Sequence, residues 1–483
     1  MDGMQQVETP ADIIAEKVAK QRASYLKEGL VTAAVRKDRL QRALSCLMDH
    51  KDDYIRLISE DFGNRSSETT LFADVVAAAG ALKDAIKHVD KWMKPSKRSL
   101  QFPLGLLGAR AEVVPQPKGV VGLITPWNFP LGMVFIPLAQ MLAAGNRVMI
   151  KPSEFTPRTS AFMNEVFSTH FDETEVCVIN GAVETSQGFA SQAWDHLMFT
   201  GAPAVGKLIM RAASENLTPV TLELGGKSPV VVGASADIDM AAERVATMKH
   251  MNAGQICLAP DYLNIGTDRR DAFVASYTKS VEKMYPTMLS NDQYTSIIST
   301  RHRERIEGYI ADAREKGADV RVINPAGEDF TGQNQANKIP STLILDATDD
   351  MEVMQNEIFG PVLPVRTYEK VEDVIDYVND KERPLALYYF GSDNEEENEV
   401  LTRTTSGGVT VNDVLWHGAH ENLPFGGVGN SGIGHYHGYD GFLEFSHQKS
   451  VLRHPKLSIA NLLGVIPPYG DKLRKNMERQ LKN

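Results

Sequence analysis

The sequence predicts an α/β protein built on two parallel β-sheets. Two successive runs of the chain alternate short apolar strands with helices, and neither run contains a repeat or a low-complexity tract. Helices that cross over between successive strands make those strands parallel and cover both faces of the sheet. The chain has 483 residues, 42% of them hydrophobic, which is enough for about two to four domains with large buried cores.

Helices precede the first run. Apolar residues such as Ile14, Val18 and Tyr25 recur at helical spacing, and helical patterns of this kind extend over about residues 10–93. The segment Leu104–Pro117 then combines glycines and prolines with the short apolar stretch Ala111–Val114. This composition predicts a short hairpin that projects from the main body.

The first α/β run predicts a nucleotide-binding architecture, because it holds five strands joined by crossover helices. The strands are predicted at Val120–Ile124, Arg147–Ile150, Val176–Ile179, His196–Phe199 and Pro219–Leu224. The helices between them are predicted near Leu131–Ala144, Pro157–His170, Glu184–Ser191 and Ala204–Ala213. Open parallel sheets bind ligands outside the carboxyl ends of their strands, so we expect the functional residues there.

The second run predicts another α/β unit, and because no Gly/Ser linker divides the two runs, we expect the units to pack closely. Its strands are predicted at Pro229–Val232, Tyr262–Ile265, Leu343–Leu345, Val362–Val365, Ala386–Phe390 and Gly408–Asn412. Its helices are predicted near Asp237–Asn252, Arg269–Met284, Arg301–Lys316 and Val371–Asn379. The acidic stretch Glu395–Glu397 after Asp393 predicts a solvated helix N-terminus, where the helix dipole favours carboxylates.

The charge and the cysteine content exclude several classes of protein. The chain has 51 Lys and Arg against 62 Asp and Glu, a net charge of −11, and is not expected to bind nucleic acid. Cys46, Cys177 and Cys257 form no C-x-x-C pair, which argues against a disulfide framework and fits a reducing cytosol. The first residues show no secretory signal, and the apolar stretch Leu131–Ala144 is too short to span a bilayer. We therefore expect a cytoplasmic protein without a membrane span.

Three patterns imitate known ligand sites and are rejected on their context. Gly201–Lys207 begins like a phosphate-binding loop, but Leu208 follows where magnesium binding needs a Ser or Thr. Gly427–Gly432 reads G-x-G-x-x-G, but it follows no predicted strand, so a tight surface turn is expected. The histidines between residues 435 and 447 have no accompanying ligand set, and no metal site is predicted.

Three polar side chains at predicted strand or helix ends are candidates for catalytic roles. Glu223 lies at an apolar strand end before Gly225–Gly226, and burial there raises the pKa of a carboxyl toward neutrality, where it can exchange protons. Asn128 lies in a strand-to-helix turn, where its amide can donate to an oxyanion. Cys257 ends the segment Asn252–Cys257; taken alone, such a cysteine is more often a small buried hydrophobe.

With their neighbours, these residues resemble the aldehyde dehydrogenase superfamily over about residues 10–455. Six motifs carry the resemblance, in the family's order: Thr125–Pro130 (TPWNFP), Lys151–Glu154 (KPSE), Phe199–Gly201 (FTG), Leu222–Lys227 (LELGGK), Gly254–Cys257 (GQIC) and Glu357–Val362 (EIFGPV). The segments Ala259–Tyr262 and Leu423–Gly432 resemble the class 3 branch, which includes the coniferyl aldehyde dehydrogenases.

The resemblance implies a Rossmann-like NAD-binding domain, an α/β catalytic domain and a small oligomerisation hairpin. The implied boundaries are 1–103 with 119–225 for NAD binding, 226–424 for catalysis, 104–118 with 445–456 for the hairpin and its added strand, and 457–483 for a C-terminal tail. At least a homodimer is implied. The basic stretch Asp471–Asn483 lacks the hydrophobic anchor of membrane-bound relatives, and we expect it to pack across a subunit boundary or to stay in water.

The resemblance also implies a cofactor site that binds NAD and accepts NADP as well. Lys151 and Glu154 would contact the adenosine ribose, and Glu357 would hold the nicotinamide ribose with Phe359 against the ring. The other implied cofactor-binding residues are Thr125, Pro126, Trp127, Gly201, Val205, Leu224 and Gly225. The chain departs from the family at Ala202–Pro203, where most relatives carry a Ser after the glycine, and so lacks a hydroxyl and an N–H beside the pyrophosphate.

The implied reaction oxidises an aldehyde to a carboxylic acid. Cys257 would attack the aldehyde carbon, Asn128 would bind the oxyanion, and Glu223 would activate the water that hydrolyses the thioester. A CoA-acylating enzyme is the alternative, although the carboxylate of Glu223 favours hydrolysis. The substrate stays open between an aromatic aldehyde such as coniferyl aldehyde and a medium- or long-chain aliphatic one. Trp416 lies in a loop expected at the substrate mouth and suits a planar substrate.

Overall fold

The computed structural model describes residues 7–101, 104–333 and 336–481, so the predictions for the first six residues and for 482–483 lie outside the described residues. The strands are β1 Ser96–Arg98, β2 Arg110–Pro117, β3 Val120–Ile124, β4 Arg147–Lys151, β5 Val176–Val178, β6 His196–Gly201, β7 Val220–Leu224, β8 Pro229–Val232, β9 Tyr262–Gly266, β10 Asp319–Ile323, β11 Ser341–Leu345, β12 Val362–Tyr368, β13 Ala386–Phe390, β14 Gly408–Val411, β15 Gly432–Ile433 and β16 Ser446–Arg453.

Helices cover both faces of the larger sheets. The α-helices are α1 Ala11–Glu28, α2 Ala33–Met48, α3 Lys51–Phe62, α4 Ser67–Thr70, α5 Ala77–Trp92, α6 Gly132–Ala144, α7 Pro157–His170, α8 Val183–Ala190, α9 Pro203–Ser214, α10 Ile238–His250, α11 Arg270–Met284, α12 Thr300–Glu315, α13 Glu352–Gln355, α14 Val371–Asp380, α15 Asn394–Arg403, α16 Gly438–Glu444, α17 Ile459–Leu463 and α18 Asp471–Leu481. A π-helix spans Leu71–Val76, and 3-10 helices span Met251–Gly254, Thr267–Arg269, Trp416–Ala419 and Gly429–Ser431. No helix among the described residues is both long and apolar enough to cross a bilayer.

The first large sheet contains the five predicted parallel strands. Its order is β15-β7-β6-β3-β4-β5, with β15 added antiparallel at one edge. Helix α6 is buried on all its faces and packs against α2, α5 and α16, which explains why its sequence is apolar without a polar stripe. The prediction of a parallel five-stranded sheet is therefore confirmed.

The second large sheet has the order β10-β11-β12-β9-β8-β13-β14. Strands β11, β12, β9, β8, β13 and β14 are parallel, as predicted. Strand β10 pairs antiparallel with β11 at the edge and was not predicted, because charged Asp319 and Arg321 interrupt its apolar pattern. The acidic helix N-terminus is confirmed: α15 begins after Asp393, whose carboxylate accepts backbone N–H bonds from Glu395 and Glu396. The division into domains at residues 225–226 stays a prediction.

The prediction of a hairpin within Leu104–Pro117 is wrong for one of its two strands. Only the second part of Leu104–Pro117 forms a strand, β2, and its hairpin partner is β1, which lies upstream of the predicted segment. Strand β16 pairs antiparallel along the whole of β2, in agreement with the implied added strand. The prolines of β2 misled the prediction. Pro115 and Pro117 lie beyond Val113, where the pairing of β2 with β1 stops, so a strand neighbours them on one side only and the missing N–H donor is tolerated.

Candidate active site

Several strands of the six-stranded sheet end at one edge, and their ends open into a cavity of about 290 Å³. The turn after β3 brings Pro126–Asn128 to this cavity, and β6 and β7 end beside it at Gly201 and Leu224. Most of the predicted site residues line it: Pro126, Trp127, Asn128, Gly201, Glu223, Leu224, Gly225, Cys257, Glu357 and Phe359. The expectation that function lies at the carboxyl ends of the strands agrees with this position.

Glu223 is the central carboxyl of the cavity. It lies on β7, where Thr200 of β6 and Gly432 of β15 pair with it from either side. The hydroxyl of Tyr436 donates a hydrogen bond of 2.9 Å to Glu223 Oε2, whereas Oε1 has no hydrogen-bond partner among the described residues. Burial raises the pKa of Glu223, as predicted from its strand.

The glycines at 427–432 are not the tight surface turn that the sequence predicted. Gly432 pairs with Glu223, and a Cβ on Gly427 would lie 2.0 Å from the carbonyl oxygen of Ser431. Gly429 and Asn430 are exposed, but the rest of the segment packs behind β7. Glycine is needed here because two stretches of backbone approach each other closely at the back of the functional carboxyl.

Cys257 lies in a loop whose backbone is held by one amide side chain. Gln255 Nε2 donates to the carbonyl oxygens of Asn252 (3.0 Å) and Ser296 (3.0 Å), and its Oε1 accepts the N–H of Ile298 at 3.0 Å. Gly254 has a φ of +73°, and a Cβ there would lie 2.4 Å from the carbonyl oxygen of Gly360. The GQ pair before the cysteine therefore determines the path of the loop.

Asn128 is anchored through its backbone and reaches the cysteine loop through its side chain. Its carbonyl oxygen accepts from Arg65 Nη1 at 2.9 Å and from Asn252 Nδ2 at 3.1 Å. Its Nδ2 donates one hydrogen bond to the carbonyl oxygen of Gln255 at 3.2 Å. An amide nitrogen carries two donors, so one N–H is left for a ligand in the cavity. Asn128, Cys257 and Glu223 line the same cavity.

The electrostatics of the cavity favour the protonated form of Cys257, the predicted nucleophile. Burial raises the pKa of Cys257 well above its ordinary value, and the charge of the neighbouring Glu223 raises it further. Cys257 is half-buried, whereas Cys46 and Cys177 are buried. The proton of Cys257 must therefore leave before the sulfur can act as a nucleophile.

Trp127, Glu357 and Phe359 line the part of the cavity that is predicted to hold the nicotinamide nucleoside. The rings of Trp127 and Phe359 lie 5.5 Å apart at 79°, and both line the cavity, which suits a flat heterocycle. Glu357 offers a carboxylate to ribose hydroxyls, although burial and Asp261 raise its pKa to about 8. A Cβ on Gly225 would lie 2.2 Å from Glu357 Oε2, so only glycine lets this carboxylate approach the end of β7.

Four predicted cofactor residues do not line the cavity. Thr125 is buried at the end of β3, and Val205 is 42% exposed on α9, which starts at Pro203 directly beyond β6. Lys151 and Glu154 lie at the carboxyl end of β4, with Nζ and Oε2 3.4 Å apart. Lys151 is buried, and this burial lowers its pKa. These four residues remain predicted contacts of the cofactor.

Sequence reasoning missed three residues of the site. Tyr436 contacts Glu223, and His302 and Arg305 line the cavity from α12. Arg305 donates to the carbonyl oxygens of Glu357 (3.3 Å) and Ile358 (2.9 Å) and so holds the loop on the cofactor side. Burial and Arg305 lower the pKa of His302 to about 4. The spacing of Arg301–Arg305 on a predicted helix was the available signal, but nothing in the sequence showed which end of the helix met the cavity.

Comparison with known proteins identifies the family to which the sequence is similar. Residues 7–451 match the sequence model of the Aldehyde dehydrogenase family. The chain is 53% identical to a protein named probable coniferyl aldehyde dehydrogenase from Caulobacter vibrioides, over 97% of both chains. It is 49% identical to the coniferyl aldehyde dehydrogenase of a Pseudomonas species, over 96% of this chain and 95% of that one.

Solved structures share the fold over nearly the whole chain. The substrate-bound state of Staphylococcus aureus AldH superposes with a TM-score of 0.89 at 32% identity, covering 96% of this chain and 98% of that one. A Mycobacterium tuberculosis aldehyde dehydrogenase complexed with NAD+ superposes with a TM-score of 0.83 at 30% identity, covering 94% of this chain and 92% of that one.

Proposed function

The chain belongs to the aldehyde dehydrogenase family and oxidises aldehydes, and we propose that its substrate is an aromatic aldehyde of the coniferyl type, with NAD as cofactor. The observation that carries the proposal is that Cys257, Glu223 and Asn128 line one cavity with the residues predicted for the nicotinamide side. The names of the two bacterial relatives support the substrate, and the mycobacterial complex supports the cofactor.

In the proposed reaction, the thiol of Cys257 releases its proton to solvent, and its sulfur adds to the aldehyde carbon. The free N–H of Asn128 stabilises the resulting oxyanion, a type of contact typically worth about 2.7–4 kcal/mol. Glu357 and Phe359 would hold NAD, which would supply the hydride acceptor for oxidation of the thiohemiacetal to a thioester. Glu223 then takes a proton from water, and the hydroxide attacks the thioester carbon. The carbon–sulfur bond breaks to release the carboxylic acid, and the proton on Glu223 passes to the departing sulfur and restores the thiol.

The test follows NADH absorbance with coniferyl aldehyde as substrate. Cys257→Ser should abolish turnover, because a hydroxyl is a much weaker nucleophile than a thiolate. Cys46→Ala, a change of a buried cysteine that does not line the cavity, is the matched control and should stay active.

The role of Glu223 is tested before the steady state. Glu223→Gln should release a burst of NADH of one equivalent per site and then stall at the thioester, because glutamine cannot take the proton of water. Normal steady turnover in this variant would contradict the assigned role. A wild-type rate that depends on added CoA, with acyl-CoA as product, would show that CoA rather than water resolves the thioester.

We also propose that the chain is a homodimer of the cytoplasm. Strand β16 lies at the outer edge of the three-stranded sheet, and no described strand pairs with its far side. Leu452 on this strand is 51% exposed. An edge of eight residues that carries an exposed leucine favours pairing with a second chain. The free thiols Cys46, Cys177 and Cys257 support a reducing compartment.

A further inference from the structure

One completely buried ion pair reaches the catalytic cavity through Asn128. Arg65 Nη2 lies 2.7 Å from Asp74 Oδ2, and neither side chain is exposed to solvent. Burial lowers the pKa of Arg65 and raises that of Asp74, so it works against both charges. Replacing a buried ion pair with apolar side chains is often neutral or stabilising, so stability alone does not account for this pair.

Arg65 holds the backbone of Asn128. Its Nη1 donates to the carbonyl oxygen of Asn128 at 2.9 Å. The guanidinium carbon lies 5.0 Å from the ring centroid of Phe62 and 5.0 Å from that of Phe129, the residue directly after Asn128. A guanidinium group is planar and presents its donors in a fixed fork, so these contacts determine its orientation as well as its place. Arg65 therefore holds Asn128 and its neighbour together.

Asp74 holds the other end of the same turn. Its Oδ1 accepts the backbone N–H of Leu131 at 3.1 Å and that of Gly132 at 2.8 Å, at the start of α6. The turn from Asn128 to Gly132 is thus fastened at both ends by the two members of one ion pair. The backbone of Asn128 consequently has little freedom to move relative to α6.

Asp74 lies on the π-helix Leu71–Val76, where it and Val75 are the buried residues. A π-turn contains more residues than an α-turn, so it changes which side chains face inward along the helical run between α4 and α5. Single π-turns inside α-helices are frequent at functional sites. The irregular turn that contains Asp74 therefore supports a functional role for the ion pair.

The side chain of Asn128 depends on this backbone for its position. Its Nδ2 donates to the carbonyl oxygen of Gln255 at 3.2 Å, at the long end of the hydrogen-bond range. The second N–H of this amide is the predicted oxyanion donor. Such a donor must lie about 2.7–3.1 Å from the developing oxyanion, and its removal typically costs about 10²–10³ in rate. A small displacement of the backbone at Asn128 is therefore enough to weaken it.

We propose that Arg65 and Asp74 are positioning residues, which hold the side-chain amide of Asn128 at the place where the oxyanion forms. The inference rests on the proposed function, because the oxyanion belongs to the reaction at Cys257. Neither Arg65 nor Asp74 lines the cavity, so the pair acts through Asn128. The pair should affect reactions of Cys257 that form an oxyanion and should not affect reactions that form none.

Two reagents that modify the same thiol test this difference, and neither needs NAD or an aldehyde. With p-nitrophenyl acetate, the sulfur of Cys257 adds to the ester carbonyl carbon, and the carbonyl oxygen becomes an oxyanion. The bond to p-nitrophenolate then breaks and leaves an acetyl thioester, while the thiol proton passes to solvent. Iodoacetamide alkylates the sulfur by displacing iodide, without an oxyanion. Peptide mass spectrometry follows both modifications at Cys257.

The double variant Arg65→Met with Asp74→Asn removes both charges together and leaves an amide oxygen for the N–H groups of α6. Its rate of acetylation should fall about tenfold, and its rate of alkylation should change by less than about twofold. In an Asn128→Ala background, the same double change should not lower the acetylation rate further, because effects that pass through one residue are not additive. Arg65→Lys keeps the charge beside Asp74 but lacks the fork, so its acetylation rate should be intermediate.

Asp61 provides the matched control. It is a buried carboxylate that accepts backbone N–H bonds from Arg158 at 3.2 Å and from Thr159 at 2.9 Å, at the start of α7. Asp61→Asn therefore changes the same kind of contact at another helix, and it should leave both rates within about twofold of the wild type.

Equal losses of acetylation and alkylation, an unchanged acetylation rate, or a further loss in the Asn128→Ala background would overturn the inference. If thermal unfolding shows that the double variant does not fold, Arg65→Lys decides: a lowered ratio of acetylation to alkylation supports the positioning role, and an unchanged ratio overturns it. If the wild type reacts with both reagents but oxidises no aldehyde, the proposed function fails, and the two rates still decide on the role of the pair.

Discussion

At the scale of single residues, Glu223 and Cys257 are the pair to which we assign the chemistry of the cavity. Burial raises the pKa of both groups, and the charge of the carboxylate raises that of the thiol further. Two groups coupled in this way release their protons as a pair rather than independently. The resting sulfur is therefore a thiol, which oxidises more slowly than a thiolate.

Tyr436 sets how easily Glu223 ionises. Its hydroxyl donates to Glu223 Oε2 and lowers the pKa of the carboxyl, which burial raises. In Tyr436→Phe the pKa of Glu223 rises further, so a smaller fraction is ionised near neutral pH and able to act as a base. A hydrogen bond to a charged group is worth about 1.5–3 kcal/mol, and we expect the steady-state rate at pH 7 to fall about tenfold or more.

The pH profile checks this prediction. The acid limb of the steady-state rate should move to higher pH in Tyr436→Phe, and the pre-steady-state burst of NADH should keep its amplitude, because acylation does not need the water-activating base. Tyr54→Phe is the control, since the Tyr54 hydroxyl is buried and has no hydrogen-bond partner among the described residues. An unshifted acid limb in Tyr436→Phe would mean that the phenol only fills space.

At the scale of elements, much of this molecule could be predicted from the sequence. Buried parallel strands are continuous apolar runs, so both sheets were visible as patterns. Polar residues at strand ends, such as Asn128 and Glu223, stood out because nothing in a buried strand requires them. The structure brings these ends together at one cavity.

The remaining residues of the site could not be predicted, because tertiary packing alone brings them there. Tyr436 lies 213 positions from Glu223, and their hydrogen bond depends on how the backbone after β15 folds back beside β7. The glycines at 427–432 gave a turn signal, which is local and does not show what the turn packs against. Arg305 lies on a helix with polar residues on several faces, so its sequence does not indicate the face that meets the cavity.

Helix α12 holds, through Arg305, the loop that we propose binds the cofactor. The guanidinium group donates to two successive carbonyl oxygens, those of Glu357 and Ile358, and Phe359 beyond them has a φ of +51°. Arg305→Met removes both hydrogen bonds and frees a strained loop. We expect the affinity for NADH, measured by its fluorescence, to fall about tenfold, since each lost bond contributes about 0.5–1.5 kcal/mol.

Two variants test whether geometry or charge explains that loss. Arg305→Lys keeps the charge but replaces the planar fork with a single ammonium group, so it should recover only part of the affinity. Arg301→Met removes a cation from the exposed face of the same helix and should leave NADH binding unchanged. Full recovery of the NADH affinity in Arg305→Lys would show that the positive charge, rather than the two hydrogen bonds to the loop, determines this affinity.

At the scale of the whole molecule, the three-stranded sheet joins two distant parts of the chain. Strands β1 and β2 follow the N-terminal helices, and β16 follows α16, after both large sheets are complete. All residues of β16 except Ser446 and Val451 are exposed, so this strand contributes little to the core of its own chain. A long exposed edge of this kind is a liability for a monomer unless a partner covers it.

The exposed edge gives a prediction about assembly. The double change Ser450→Lys and Leu452→Lys places two cations on one face of β16, and like charges brought together across a two-fold axis repel each other. We expect light scattering to give twice 53.2 kDa for the wild type and the single-chain mass for the double variant. His447→Lys adds a cation on the opposite face near the start of the strand and should leave the dimer intact, since β-strand side chains alternate between faces. A double variant that stays dimeric would place the interface elsewhere. Because β16 adds little to the core, the double variant should stay folded, and its thermal unfolding curve distinguishes loss of assembly from loss of fold.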